Sequence, residues 1–374
     1  MTALYIHIPF CLSKCPYCSF ASLPGHKSLH RPYVEAVIAE MRQTAAKQRA
    51  PLTTLFIGGG TPTALAADVL LHIIAVCCEL FPFAENGEFT CEVNPGTLHP
   101  KLLRALRQAG INRLSLGVQS FDNAELRRLG RVHDAQDAQE AVMMVKEAGF
   151  INFSLDLMYG LPGQKAADWR RNLETALALE PPHLSLYQLT IEDGTPFAGR
   201  YQPGRPPMPA EEEILTMDAL NQSLCGQAGL RRYEISNFAR PGYECRHNLT
   251  YWMNEEYLAV GAAAVSYTAG RRQGRLAEPE CYCAAIAKGE KAIAWSEQLP
   301  SEAAFRETMV MGLRLNAGVE LARLRRRFDI DALTYYHGAL TKLMAARFIQ
   351  HADGHLRLTD AGRLIANQVL AELV

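Results

Sequence analysis

Over roughly the first 190 residues, short strand-like runs alternate with helix-like runs, and inside the strands every second residue is polar. Alternating β and α segments are the pattern of βα units that feed a parallel sheet or barrel. Six units are legible. Strands are expected to begin near Leu4, Thr54, Glu88, Arg113, Asn152 and His183. Helical periodicity fills Arg31 to Ala50, Ala66 to Phe81, Lys101 to Ala109, Ala135 to Ala148 and Ala166 to Leu179. Successive side chains of a strand point to opposite faces. Leu4, Ile6 and Ile8 thus oppose Tyr5 and His7, and Phe89, Cys91 and Val93 oppose Glu88, Thr90 and Glu92. Leu114, Leu116 and Val118 oppose Ser115, Gly117 and Gln119; Phe153, Leu155 and Leu157 oppose Ser154 and Asp156; Leu184 and Leu186 oppose His183, Ser185 and Tyr187. A parallel strand buried on both faces reads as a continuous apolar run, and a filled barrel core favours Val, Ile and Leu. These strands do neither. The apolar face is expected against covering helices, and the polar face in a lumen that is wet or holds a polar ligand.

The remainder of the chain is organised differently. Gly199 to Pro209 is rich in Pro and Gly and reads as a loop or linker, followed by a helix over Glu211 to Ala228. Tyr233 to Gly274 mixes turns, aromatics and a small-residue patch. Helices are expected over Ser301 to Leu313, Val319 to Phe328 and Leu333 to Ala346. Phe348 to His351 and His355 to Leu358 flank the hairpin turn signal Asp353-Gly354, and Thr359 caps a last helix. The expected class is α/β: a partial (β/α)6 barrel over 1–200, an extension or linker region over 201–298 and a C-terminal winged-helix-like domain over 299–374.

Composition narrows the function. Of 374 residues, 48% are apolar and 21% charged, which excludes a disordered or fibrous chain. The formal net charge is −1, so no nucleic acid is expected as the main partner. The winged-helix-like tail could bind DNA, but its candidate recognition helix carries only Lys342 and Arg347 as fixed positive charges. The first residues, MTALYIHIPF, carry no secretory or transit signal, and the apolar stretch Val69 to Phe81 is too short to span a bilayer. A cytoplasmic protein is expected. Ten cysteines are too few for a disulfide scaffold of this size.

Three of them are closely spaced. Cys11-Leu-Ser-Lys-Cys15-Pro-Tyr-Cys18 follows the first strand directly, at the barrel end where active sites lie. Three thiolates can hold three irons of a [4Fe-4S] cube and leave the fourth open to a small molecule. A zinc site is the alternative. It needs a fourth ligand, which His26 or a distant residue would have to supply.

The triplet, with aromatic Tyr17 before its last cysteine, resembles the radical-SAM family. That resemblance implies a partial barrel and S-adenosylmethionine (SAM) chelating the open iron through its methionyl group. Gly58-Gly59-Gly60-Thr61-Pro62 follows the second strand, where glycines would let backbone approach the methionyl moiety. YIHIPFC, GGGTPT, EVNPGTL, RLSLGVQSF and DLMYGLPGQ are similar to the oxygen-independent coproporphyrinogen III oxidase group across essentially the whole chain. By that resemblance Tyr5, Gly59, Gly60, Thr61, Glu92, Gln119, Arg131 and Asp156 shape the SAM site.

The group holds decarboxylating oxidases and haem chaperones of the HemW type. The oxidases carry a further cysteine two positions after the triplet, where this chain has Phe20, and a long segment before the first strand, whereas Tyr5 lies almost at the start. His247-Asn248-Leu-Thr-Tyr251-Trp252 matches the H-N-x-x-Y-W motif that the resemblance associates with haem binding. Neutral imidazole is a normal axial haem ligand and flat aromatics cover a porphyrin face. Without the resemblance these residues read as core aromatics around a hydrogen-bonded histidine. Arg246, Arg271 and Arg272 are candidates to meet haem propionates, and Cys245 is a weaker alternative ligand. The expectation is a haem chaperone that also holds a [4Fe-4S] cluster and SAM. It would hand haem to haem-requiring respiratory proteins, peripherally at the inner membrane, with a homodimer left open. The rivals are a coproporphyrinogen III oxidase and a haem- or redox-sensing winged-helix regulator.

Overall fold

A computed structural model of the chain describes residues 2–46, 48 and 50–374. Six strands follow one another in parallel: β1 (Ala3–Ile8), β2 (Leu52–Gly59), β3 (Phe83–Val93), β4 (Arg113–Gln119), β5 (Phe153–Tyr159) and β6 (His183–Gln188). They lie side by side in sequence order, which is the expected (β/α)6 arrangement. The helices between them are α1 (Lys27–Ala45), α2 (Ala67–Leu80), α3 (Pro100–Gln108), the short α4 (Asn123–Arg128), α5 (Ala135–Glu147) and α6 (Ala166–Ala178).

Local chemistry sets several boundaries. Pro100 begins α3 just after His99, whose ring accepts the Leu102 amide, and α5 starts in a reciprocal capping box between Asp134 and Asp137. α1 starts before the expected Arg31 and ends at Ala45. It is entered from His26 in the left-handed region without a side-chain cap, so its start leaves no sequence signal.

The apolar face of each strand is closed against these helices. Leu4, Ile6, Leu55, Ile57, Leu114, Leu116, Leu155 and Leu184 are buried with Val37, Ile73, Leu106, Val142 and Trp169 from the helices in one core. Each such side chain contributes roughly 1.5–3 kcal/mol on removal from water. The strands' other face stays polar and encloses the lumen.

The segment between barrel and tail extends the same sheet at both edges. β7 (Arg231–Arg232) and β8 (Asn237–Ala239) add antiparallel strands beyond β6. β9 (Tyr257–Val260) pairs parallel with β1, and β10 (Val265–Thr268), β11 (Arg271–Arg275) and β12 (Ile293–Gln298) continue antiparallel to give twelve strands. Helix α7 (Glu211–Gln227) packs on α6, where Trp169 Nε1 donates to Asn221 Oδ1 at 2.7 Å. The seven-residue helix α8 (Arg246–Trp252) lies between β8 and β9 in the chain.

The C-terminal part has its own core around Phe305, Leu340, Leu356 and Leu370. It contains helices α9 (Ser301–Gly312) and α10 (Leu321–Phe328), and a three-stranded sheet with the hairpin Ile349–Ala352 and His355–Leu358. The expected helix over Leu333 to Ala346 is instead two pieces, Ala332–Tyr335 and His337–Ala345. No helix among the described residues is long and apolar enough to cross a membrane.

Candidate functional site

The polar face encloses two cavities, one above the other. The upper, of about 430 Å³, opens at the C-terminal ends of the strands and is lined by Cys11, Cys15 and Cys18 together with Glu92, Gln119 and Asp156. The lower, of about 300 Å³, is lined by Tyr5, Arg113, His247 and Tyr251, among others. Glu92, Ser115, Asp156 and Tyr187 line both. The expected polar lumen is therefore present.

The three cysteines are half-buried on the loop after β1. A turn joins two of them, with the Cys18 amide donating to the Cys15 carbonyl at 3.1 Å. Pro16 packs on Gly130, where an added Cβ would meet its ring at 2.8 Å. Arg131 then reaches back: Nη1 lies 3.5 Å from Cys15 Sγ and Nη2 donates to the Gly117 carbonyl at 2.6 Å. Thr61 Oγ1 donates toward Cys11 Sγ at 3.8 Å. Burial pushes the Cys11 and Cys18 thiols up, so holding both as thiolates requires a cationic partner. Among the described residues no three His, Cys, Asp or Glu side chains converge on one metal ion. A cube takes one thiolate per iron and needs no such convergence, so this donor set fits the cluster. His26, the candidate fourth zinc ligand, is exposed and hydrogen-bonded to the Pro24 carbonyl at 2.8 Å.

Gly59, Gly60, Thr61, Glu92, Gln119, Arg131 and Asp156 all line the upper cavity with the cysteines. The amides of this run are engaged inside the protein. Gly59 N donates to Glu92 Oε2 at 2.9 Å, Gly60 N to the Ile8 carbonyl and Thr61 N to the Phe10 carbonyl. Close packing also requires glycine. A Cβ on Gly60 would stand 2.6 Å from the Phe10 carbonyl oxygen, and one on Gly59, at φ +111°, would enter the His7 ring. Gln119 closes β4 at φ +63°, after an irregularity in the pairing with β5 that turns the strand end toward the cavity.

Two carboxylates face each other electrostatically. Burial raises Glu92 from 4.5 to about 7, and Asp156 adds to the rise. Burial raises Asp156 too, opposed by hydrogen bonds from Ser115 and Ser154, each at 2.8 Å. Tyr5 stands apart from the other expected SAM residues. It lies deeper in the lumen on the lower cavity, and its hydroxyl donates to His7 Nδ1 at 3.0 Å while His7 Nε2 donates to the Ala21 carbonyl.

The H-N-x-x-Y-W helix α8 packs by the opposite, N-terminal ends of the strands. His247 is fully buried, and both ring nitrogens are engaged: Nδ1 with Thr54 Oγ1 and Nε2 with Tyr251 Oη, each at 2.8 Å. Burial and the Arg113 charge lower His247 to about 3, so the ring is neutral. Trp252 is half-buried and lines neither cavity. Of the arginines proposed for propionates, Arg272 is held by Glu307 at 2.6 and 2.8 Å, Arg246 by the Asn86 carbonyl, and Arg271 by Gln298 at 3.1 Å. Cys245 is buried with Sγ 3.6 Å from Glu88 Oε1.

Sequence reasoning missed the residues that fix this helix. Glu88 accepts the free amides of Arg246 and His247 at 3.0 Å each, replacing the side-chain cap that α8 lacks. A one-directional chain of hydrogen bonds runs from the start of α8 to the lumen. Cys245 N–H donates to Tyr233 Oη, Tyr233 to His183 Nε2, His183 Nδ1–H to Ser154 Oγ, and Ser154 to Asp156. Only the polar alternation of His183 and Ser154 hinted at it.

Comparison with known proteins agrees with this geometry. Residues 5–176 match the model of the Radical SAM superfamily, and residues 299–365 that of the HemN C-terminal domain. The chain is 37% identical over 371 residues to "Heme chaperone HemW" of Bacillus subtilis (strain 168), covering 99% of this chain and 98% of the relative. It is 35% identical to the protein of that name in Lactococcus lactis subsp. lactis (strain IL1403), covering 99% and 96%. For the Escherichia coli (strain K12) protein of that name the identity is 40%, over 72% of this chain and 71% of the relative. The solved coproporphyrinogen III oxidase (HemN) from Escherichia coli, titled a radical SAM enzyme, superposes with a TM-score of 0.88 at 22% identity over 100% of this chain and 89% of that one. That likeness establishes the fold.

Proposed function

Because this chain belongs to the family of radical SAM proteins named heme chaperone HemW, we propose that it binds haem and hands it to haem-requiring proteins, among them respiratory ones at the inner membrane. The observation that carries this reading is likeness along almost the full length to proteins of that name, with His247, Asn248 and Tyr251 of the H-N-x-x-Y-W helix lining the lower cavity. Cys11, Cys15 and Cys18 would hold a [4Fe-4S] cluster, and Gly59, Gly60, Thr61, Glu92, Gln119, Arg131 and Asp156 would shape a SAM site beside it. When bound, the cluster supplies an iron free of protein ligands that a methionyl group chelates.

The chain's own residues define the remaining steps. Arg131 braces the cysteine loop from below and offsets thiolate charge. Glu92, held by the Gly59 amide, keeps a carboxyl in the lumen that can take or release a proton near neutrality. His247 is already neutral, as an axial ligand must be. Its Nε2 reaches a haem iron only once the Tyr251 hydroxyl lets go. Tyr251 and Trp252 would cover the porphyrin.

Adding hemin to the purified chain is expected to produce a Soret band that weakens in His247→Ala. Anaerobic incubation of the cluster-loaded chain with coproporphyrinogen III and SAM is expected to yield no decarboxylated porphyrinogen. Robust decarboxylation would favour the oxidase reading instead.

A further inference from the structure

The lumen contains a guanidinium without a partner. Arg113 opens β4 at the lower end of the barrel and is only 2% exposed. Among the described residues its side chain makes no hydrogen bond and no ion pair within 4 Å, and its Nε is orphaned; the Glu88 and Asp156 charges act on it only from a distance. The Thr90 hydroxyl, on the residue registered directly against Arg113 in β3, is a second orphan. A guanidinium and a hydroxyl left without hydrogen-bond partners side by side in a protein interior are costly, and native structures satisfy such groups with something.

The carboxylates around the lumen are already committed. Glu88 accepts the start of α8, Asp156 accepts two serines and Glu92 accepts the Gly59 amide. The other guanidiniums near the motif have acceptors of their own, Arg272 in Glu307 and Arg275 in Glu40. Arg113 differs from them in facing a cavity, which Ser185 and Tyr187 supply with hydroxyls; Glu92 and Asp156 line the same cavity, Glu92 raised by burial to about 7 and Asp156 raised by burial, so both charges are weakened there.

We infer that the lower cavity is a carboxylate-binding site whose receptor is Arg113. A planar carboxylate fits the guanidinium fork, and hydroxyl donors complete its remaining lone pairs. About 300 Å³ has room for a short-chain acid or for one acid arm of a larger ligand. The same cavity is lined by His247 and Tyr251. On the haem reading above, on which this extension rests, the arm is a haem propionate. Arg113 then replaces the surface arginines as its anchor.

Two probes separate the sources. Sodium propionate, compared with sodium chloride at constant ionic strength, is expected to raise the melting temperature of the full chain and to leave Arg113→Gln unmoved. Hemin is expected to bind the wild type at least about tenfold more tightly than hemin dimethyl ester, the scale of a lost charge-assisted hydrogen bond, and Arg113→Gln to erase that preference. Should Arg113→Gln not fold, Ser185→Ala keeps the charge, removes a hydroxyl that lines the cavity and is expected to weaken propionate binding. Propionate stabilisation that is absent, or equal in wild type and variants, overturns the site. Equal affinity for hemin and its diester, with propionate binding still dependent on Arg113, assigns the site to a free short acid. If hemin fails to bind the wild type, the haem reading falls, while Arg113-dependent propionate binding upholds the site.

Discussion

Glu92 shows how a single residue couples the lumen to solution conditions. Its carboxyl is favoured in the protonated form inside the fold, moved from 4.5 to about 7 by burial. Folding therefore takes up a proton in that window, so the contribution is fully present at low pH and is lost as pH rises toward 7. Two to three pH units correspond to about 3 kcal/mol. Chemical denaturation of the SAM-free chain at a series of pH values is expected to show this fall, and Glu92→Gln to flatten it. Glu92 is legible in the sequence because a period of two puts it on the face opposite Cys91 and Val93. Arg113 and Glu88 sit on the same face by the same rule, yet their roles are not legible. Glu88 acts on an amide 159 residues away, and Arg113 is defined by what fails to reach it.

At the scale of elements, the βα units are readable from periodicity because each buries one apolar stripe against its neighbour. The middle segment is not. Its strands are short, and their place in the sheet is decided by edges that only the folded barrel offers, such as that of β1 for β9. Helix α8 is the sharpest case. Seven residues are too few to hold a helix alone, and its stability is borrowed from Glu88 and from the His247 contact with Thr54. Glu88→Ala strips the acceptor from two amides, that of His247 buried, and is expected to destabilise the chain by about 1–3 kcal/mol. Hydrogen exchange should localise the effect to α8, with the strands at the cysteine end keeping their protection.

At the scale of the whole molecule, polar contacts join the barrel core to the C-terminal core. Glu255 receives Arg323 at 2.6 Å and lies 3.6 Å from Arg327, Asn254 donates to Thr308 at 3.0 Å, and Arg272 pairs with Glu307. These are partly buried charges, so Glu255→Ala is expected to loosen the C-terminal domain without unfolding either core. Faster proteolysis near Leu299-Pro300, with little change in melting temperature, is the readout. The same frame sets the cysteine loop and the H-N-x-x-Y-W helix at opposite ends of one lumen, with Asp156 and the His183–Tyr233 chain between them. Carrying haem is the property that this arrangement is proposed to serve, and delivery tests it most directly. Cluster-loaded chain charged with hemin is mixed anaerobically with an apo haem protein, and the acceptor's Soret spectrum is followed. Its growth at the expense of the donor's band is the predicted result. An acceptor that stays dark, beside a chain that decarboxylates coproporphyrinogen III, would contradict the account.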